Sequence, residues 1–480
     1  MDIDNAIKKL KSNYLQIASA LPFLDCHAAD YVSSGFAGTP ELPDTDYIIA
    51  RRADTENIQP YTLTYYRPEM ALAEADFARL AQLNCPVIFR SDENDLSKLA
   101  GFVAAHQDLK IILASGERKI LYYFKEIRQM LSAYSNFYLC TANFCNWDGL
   151  ERLCALGLAG QLLYGSFMPL YDPGASKGPL VMTDLPWQDK CAIAGNNLRR
   201  LLNIPCPAPT AEIKFTAPEP FIIDAHTHTA ITADEVPMET PVNVPWSDWQ
   251  KFLNKVGIEC MFITPCESIH HTQKSSLETQ DGLVEASAGR VKFFETFDPR
   301  DVEQSVKHLE ISLPMQECIG IKLHPSSHRV KADDERFRIA FELAKKYRKP
   351  VMSHTWAISS YNPNQIYALP ELFEKYLRDF PEVNFIFGHT GGRPESFEEM
   401  KKLLNSYHNA YCDIAGDYFH NGFIENLLQF VPHDRILFGS DVNWIDPRCQ
   451  IGQLIQAQVD DKTLKLILRN NAIKLFNLQS

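Results

Sequence analysis

Five side chains in the second half of this 480-residue sequence have the types and spacing that bind a metal ion and move protons: His226, His228, His354, His389 and Asp441. Each closes a short β-branched or aromatic run, in Asp224-Ala225-His226-Thr227-His228, Ser353-His354-Thr355-Trp356, Gly388-His389-Thr390-Gly391-Gly392 and Gly439-Ser440-Asp441. Side chains two apart on a strand project to the same side, so His226 and His228 can share one ion, at about 2.0–2.1 Å if it is zinc. His354 and Asp441 would complete the coordination and leave a position for water, which separates a catalytic site from a closed structural one. Singly the pieces are weak. A His-x-His matches by chance, a lone His354 or His389 can be a hydrogen-bonded core residue, and Asp441 can cap a helix. Their shared place at strand ends gives them joint weight.

Strand-like runs alternate with helical patterns through this half. They are Phe221–Asp224, Cys260–Thr264, Val291–Thr296, Ile319–Leu323, Pro350–Ser353, Val383–Phe387, Tyr411–Ile414 and Arg435–Phe438, with helices such as Arg336–Tyr347 and Leu369–Asp379 between them. Eight strands alternating with helices predict a (β/α)8 barrel, the TIM-barrel architecture, whose C-terminal strand ends meet on one face. A doubly wound sheet would want a Gly-rich phosphate loop after its first strand; this strand ends in histidines. His270, His271, Trp356 and Arg393 follow strand ends on the same face, where loops set specificity. Trp356, Arg393 and His270 are therefore candidate substrate contacts, and Arg393 could pair a substrate carboxylate. A solvated loop is the competing reading of each.

These pieces together resemble the amidohydrolase superfamily, within it the branch of aminocarboxymuconate-semialdehyde decarboxylase and several lactonases. The resemblance rests on IIDAHTHT, GIKLHP, KPVMSHTW, NFIFGHTGG, ILFGSDVNW and the terminal RNNAIKLFNL, and spans Pro220 to Leu478. It implies that His226, His228, His354 and Asp441 bind one divalent ion, zinc first, with manganese or iron as alternatives. It also implies that His389 is a catalytic histidine, with Asp441 passing the proton of a metal-activated water. Lys322 and His324, on the fourth strand, go to the substrate side or to hydrogen bonding; Lys322 could otherwise be a carboxylated bridging lysine, or pair an internal carboxylate. The expected reaction is hydrolysis of a carbonyl C–N or C–O bond, an amide or lactone of a small molecule. The alternative is non-oxidative decarboxylation of an unsaturated or aromatic carboxylic acid, which needs the same residues. A non-catalytic metal-binding scaffold would predict lost ligands, and none is lost.

Composition agrees with a soluble enzyme. Hydrophobic residues make up 45% and charged residues 22%, a globular balance. The net charge of −13 argues against a nucleic-acid-binding role, so no nucleic-acid partner is expected. No run of about 18 apolar residues marks a membrane span. The first 25 residues read as a helix leading into a strand rather than a signal peptide. The 12 cysteines form no CxxC pair, which favours a reducing cytoplasm over a disulfide framework.

Prolines 205, 207, 209, 218 and 220 interrupt the middle of the chain and forbid helix or central strand there. They divide it into residues 1–204, a linker 205–218 and the catalytic part 219–480. The first part reads as a shortened, degenerate copy of the second. Asp25-Cys26-His27 resembles Asp224-Ala225-His226, and Leu163-Tyr164-Gly165-Ser166 resembles Leu437-Phe438-Gly439-Ser440. Ser115 and His389, Phe167 and Asp441, and Asn197 and Asn471 are each 274 residues apart. In this alignment His228 falls on Ala29, His354 on Arg90, His389 on Ser115 and Asp441 on Phe167. One histidine cannot hold a catalytic ion, so the copy is expected to be inert. Its shorter spacing predicts that strands two and three are missing. An open edge would then need cover, from the other half or from a second copy in a homodimer.

Overall fold

The first half builds its sheet from short strands. β1 (Leu24–Ala28) and β2 (Asp46–Ile49) pair in parallel. β3 (Arg51–Arg52), β4 (Thr64–Tyr66), β5 (Val87–Arg90), β6 (Ile111–Ala114), β7 (Phe137–Cys140) and β8 (Leu162–Leu163) follow one another in a six-stranded parallel sheet. The structure is a computed structural model, which describes residues 2–28, 46–49, 51–52, 59–66, 72–91, 95–115, 120–229, 239–241, 243–271, 273–280, 282–359 and 362–478. Two strands, β2 and β3, stand between β1 and β4, where spacing alone predicted a gap. The short apolar run Tyr47-Ile48-Ile49 lies in β2 and the two arginines Arg51–Arg52 make β3, each too short to register as a β/α unit. Ala29 lies outside the described residues.

In the second half all eight expected strands form: β9 (Ile222–Thr229), β10 (Ile258–Pro265), β11 (Val291–Phe297), β12 (Cys318–Leu323), β13 (Val351–His354), β14 (Phe385–Gly388), β15 (Ala410–Asp413) and β16 (Ile436–Leu437). They pair in parallel and in chain order. The Ala225 N–H donates to Phe438 O (2.9 Å) and the Asp441 N–H to His226 O (2.9 Å), closing β9 onto the chain after β16. Parallel strands covered by helices are buried on both faces, so they are near-continuously apolar. Ile223, Ala225, Phe262, Phe294, Met352, Ile386 and Leu437 fill the barrel interior, and Phe476 of the last helix packs on Phe262 and Phe294. The chemistry is left to the opposite, C-terminal ends.

The two halves share local devices. Ser166 donates its N–H and hydroxyl to the Asp25 carboxylate, and Ser440 does the same to Asp224. The Asn136 amide donates to the carbonyls of Val103, His106 and Leu109, and Asn409 to those of Leu377, Phe380 and Val383. The π-helical turns Ala192–Asn196 and Leu466–Asn470 also correspond. Residues 205–220 carry neither helix nor strand and lie along the first helix, Ile3–Ala20, where Lys9 and Asn13 donate to Ala217 O and Thr216 O.

The halves meet backbone to backbone. Helices Pro173–Val181 and Pro447–Gln456 cross at Gly174 and Gly452, where a Cβ on either would collide with the other's carbonyl. Asn146 bridges to Ile445 and Tyr171 to His420. His420 and Ile445 stand 274 residues after Asn146 and Tyr171, so the two bridges are reciprocal, the pattern of an isologous contact. Arg448, fully buried, reaches across to Asp148 (3.0 Å) and Glu151 while holding Asp446.

Candidate active site

His226 and His228 stand on β9 and Asp441 on the loop after β16. Their ligand-capable atoms lie within 4.8 Å of one another and all three residues are buried. Each is held by a partner that fixes which atom faces inward. The Nδ1 of His228 is 2.8 Å from Thr264 O, which leaves Nε2 facing Asp441 Oδ1 at 3.2 Å. The Nδ1 of His226 is 2.9 Å from Asp413 Oδ2, which leaves Nε2 beside Lys322 Nζ at 2.6 Å. Asp441 takes a left-handed backbone (φ 70°), a conformation that costs energy in a non-glycine residue and must be imposed by its surroundings. The Asp224–Ser440 bonds and the Asp441 N–H to His226 O impose it.

His389, also at positive φ (64°), packs its ring 4.6 Å from that of His226. Its N–H donates to Asp413 Oδ1 (2.8 Å), and its Nδ1 lies 3.3 Å from Ala415 O. Gly416 leaves it room, since a Cβ there would press on Nδ1. His354 stands outside the His226–His228–Asp441 group, with Nε2 3.0 Å from Gln365 Oε1. Its ring lies nearly parallel to those of His324 (4.3 Å, 7°) and Trp356 (5.5 Å, 6°). The Arg393 guanidinium covers Trp356 at 4.6 Å and pairs with Asp417 at 2.8 Å. Gly392 brings the backbone against the Trp356 ring, where any Cβ would clash.

Burial sets the charge states. It lowers the imidazoles of His226, His324 and His354 well below their usual range and takes His389 to about 4, so these rings are neutral and keep a lone pair for a cation. It also pulls Lys322 down to about 8. Burial pushes the Asp441 carboxyl up, but the His228 hydrogen bond and the fields of His389, His228 and His226 hold it well below the carboxylate range. Two imidazoles and an ionised carboxylate on one small volume are a divalent-cation donor set, and the residues present fit such an ion.

The structure brings together His226, His228, Asp441, His389 and Lys322, with His354, His324, Trp356 and Arg393 forming one wall. His270 is exposed at the end of helix Cys266–His270, on the rim. Asp413 escaped the sequence reading, although it ends β15 as the predicted ligands end theirs. Gln365, in the 3-10 turn Pro363–Tyr367, and Asp417, in a loop, have no motif around them.

Residues 260–478 match the amidohydrolase family. The match runs from within β10 to the end of the last helix of the barrel. No curated protein matches the chain. Solved structures resemble about half of this chain at low identity. The manganese complex of 5-carboxyvanillate decarboxylase from Novosphingobium aromaticivorans is 13% identical over 54% of this chain and 96% of that one, with a TM-score of 0.44. The 2,6-dihydroxybenzoate decarboxylase from Rhizobium is 16% identical over 54% and 99%, with a TM-score of 0.43. An uncharacterised TIM-barrel protein from Bordetella bronchiseptica is 16% identical over 53% and 98%, also at 0.43. Among the described residues no helix is long and apolar enough to cross a membrane.

Proposed function

We propose that the barrel is a metal-dependent lyase that removes CO2 from a small planar carboxylic acid, aromatic or conjugated. The observation that carries this reading is the row of flat groups beside the metal donors. His324, His354 and Trp356 are near-parallel, and Arg393 lies over the last of them. Aromatic and guanidinium planes of this kind favour a flat ligand with delocalised negative charge. Sequence reasoning ranks hydrolysis first; the wall of rings favours decarboxylation. The decarboxylase names among the solved barrels agree with that choice, but their likeness is one of fold.

His226, His228 and Asp441 would hold the ion, with His354 as a further candidate donor. A divalent cation bound there supplies a positive charge that stabilises the negative charge developing on the substrate. The chain's own groups do the rest. The ring wall orients the acid. The C–COO⁻ bond breaks with its electron pair left on the ring carbon, and a proton takes the place of CO2. Asp441, beside His228 Nε2, is the carboxylate placed to relay that proton from water. His389, fixed by Asp413 and Ala415, orients the reacting carboxylate.

The ionised state of Asp441 supports the second reading, hydrolysis of a lactone or amide, because a carboxylate there can take a proton from water. Protein loaded with zinc or with manganese, offered hydroxybenzoic acids, lactones and amides, decides between them. Released CO2 with one equivalent of the decarboxylated product supports the lyase. Ring-opened or cleaved product without CO2 refutes it and supports the hydrolase.

A further inference from the structure

Helix Pro447–Gln456 makes two contacts at once. It crosses helix Pro173–Val181 of the N-terminal half at Gly452 and Gly174, and Arg448 carries ion pairs from it to Asp148 and Glu151. Gln450, two residues on, is fully buried. Its Nε2 donates to Gly416 O at 2.7 Å and to Ser440 O at 3.0 Å. These carbonyls belong to two separate loops, one after β15 and one after β16. Gly416 lies against His389, where a Cβ would press on Nδ1. It follows Ala415, whose carbonyl faces that same nitrogen at 3.3 Å, and precedes Asp417, the partner of Arg393. Ser440 precedes Asp441, whose positive φ of 70° needs support from its surroundings. One amide nitrogen therefore spans the His389 side and the Asp441 side of the site. Its oxygen finds no partner among the described residues, so the hydrogen bonding of this side chain is spent on the two loops.

We propose that Gln450 is a positioning residue of the barrel site. It touches neither ion nor substrate; it holds the loop behind His389 and the loop bearing Asp441 in one register. It does so from a helix whose own place is set by the close backbone crossing with the N-terminal half. That half thus bears on the site without any chemistry of its own, through the helix it packs against.

This inference rests on the reading of His226, His228 and Asp441 as metal donors, and two readouts separate it from that reading. Full-length, metal-stripped wild type, Gln450→Met, Gln450→Asn and Gln453→Met are titrated with manganese by calorimetry, and their backbone amide exchange is followed without metal. Met fills the space but donates to neither carbonyl; Asn keeps an amide too short to span both. Gln453, on the same helix and also buried, donates to Tyr418 O, a carbonyl that adjoins neither His389 nor Asp441. Loss of the Gln450 bonds predicts about three- to tenfold weaker manganese binding for Gln450→Met, a smaller loss for Gln450→Asn and none for Gln453→Met. Amide exchange speeds up over 414–417 and 440–443 in the Gln450 variants alone. Gly174→Ala presses on the helix from the N-terminal half; it weakens manganese in the same sense and adds less than its full effect on top of Gln450→Met. Affinity and exchange equal to wild type in Gln450→Met, or an equal loss in Gln453→Met, overturn the positioning role. Fully additive losses overturn the path through the helix. Faster exchange at the two loops, with no ion bound even by wild type, refutes the metal reading and keeps Gln450 in place.

Discussion

Replacing Asp413 by asparagine tests how the barrel prepares its metal donors. Asp413 accepts three hydrogen bonds: from His226 Nδ1 at 2.9 Å, from the His389 N–H at 2.8 Å and from the Ala415 N–H at 3.0 Å. The asparagine oxygen can keep the two backbone bonds, which share Oδ1. Its amide nitrogen would then meet His226 Nδ1, donor against donor. His226 escapes by moving its proton to Nε2, the nitrogen a cation needs, or by turning away. Losing a carboxylate that orients a ligand histidine lowers metal affinity about 10–100-fold, equivalent to about 1.4–2.8 kcal/mol. Calorimetric titration of manganese into metal-stripped wild type and Asp413→Asn reads this directly, with circular dichroism confirming the fold. A dissociation constant within twofold of wild type would refute the claim that Asp413 sets the His226 tautomer.

Other expectations follow from the contact between the halves. Arg448→Met leaves Asp446, Asp148 and Glu151 without their shared cation and should cost about 3–5 kcal/mol in urea unfolding; a loss below about 1 kcal/mol would show that the network contributes little. Gly452→Ala forces a methyl against the Gly174 carbonyl and should cost about 1–3 kcal/mol, whereas Ala at exposed Gly160, with open space around it, should be near neutral. Burial raises Asp172 from 3.8 to about 8. In that window the folded state keeps a proton that the unfolded chain releases, so stability contributed by Asp172 falls as pH rises from about 4 to about 8. Asp172→Asn, which can still cap helix Pro173–Val181, should flatten that part of the stability curve, and an unchanged slope would contradict the assignment.

Much of the second half was legible because its strands are bounded apolar runs and its polar residues sit at their ends. His226, His228 and Asp441 converge as the strand periodicity and barrel geometry required. His354 illustrates a limit: a strand-end position places a histidine on the right face but does not reveal its neighbours, here Gln365 at Nε2. Asp413 was readable by the same strand-end rule, yet a lone aspartate after Tyr411-Cys412 carries no motif. Strands β2 and β3 escaped because runs of two to four residues carry too little periodicity. Gln450 could not be read at all, since its relevance depends on how its helix meets two loops, and no spacing in the sequence encodes that packing.

The claim on which the account stands is that His226, His228 and Asp441 hold one catalytic divalent ion. Metal analysis joined to manganese titration of full-length wild type, His228→Ala and Asp441→Asn tests it most directly. The account predicts one tightly bound ion per wild-type chain and loss of that binding in both variants with the fold intact. A wild type that binds no ion, or variants that bind it as well as wild type does, would contradict it.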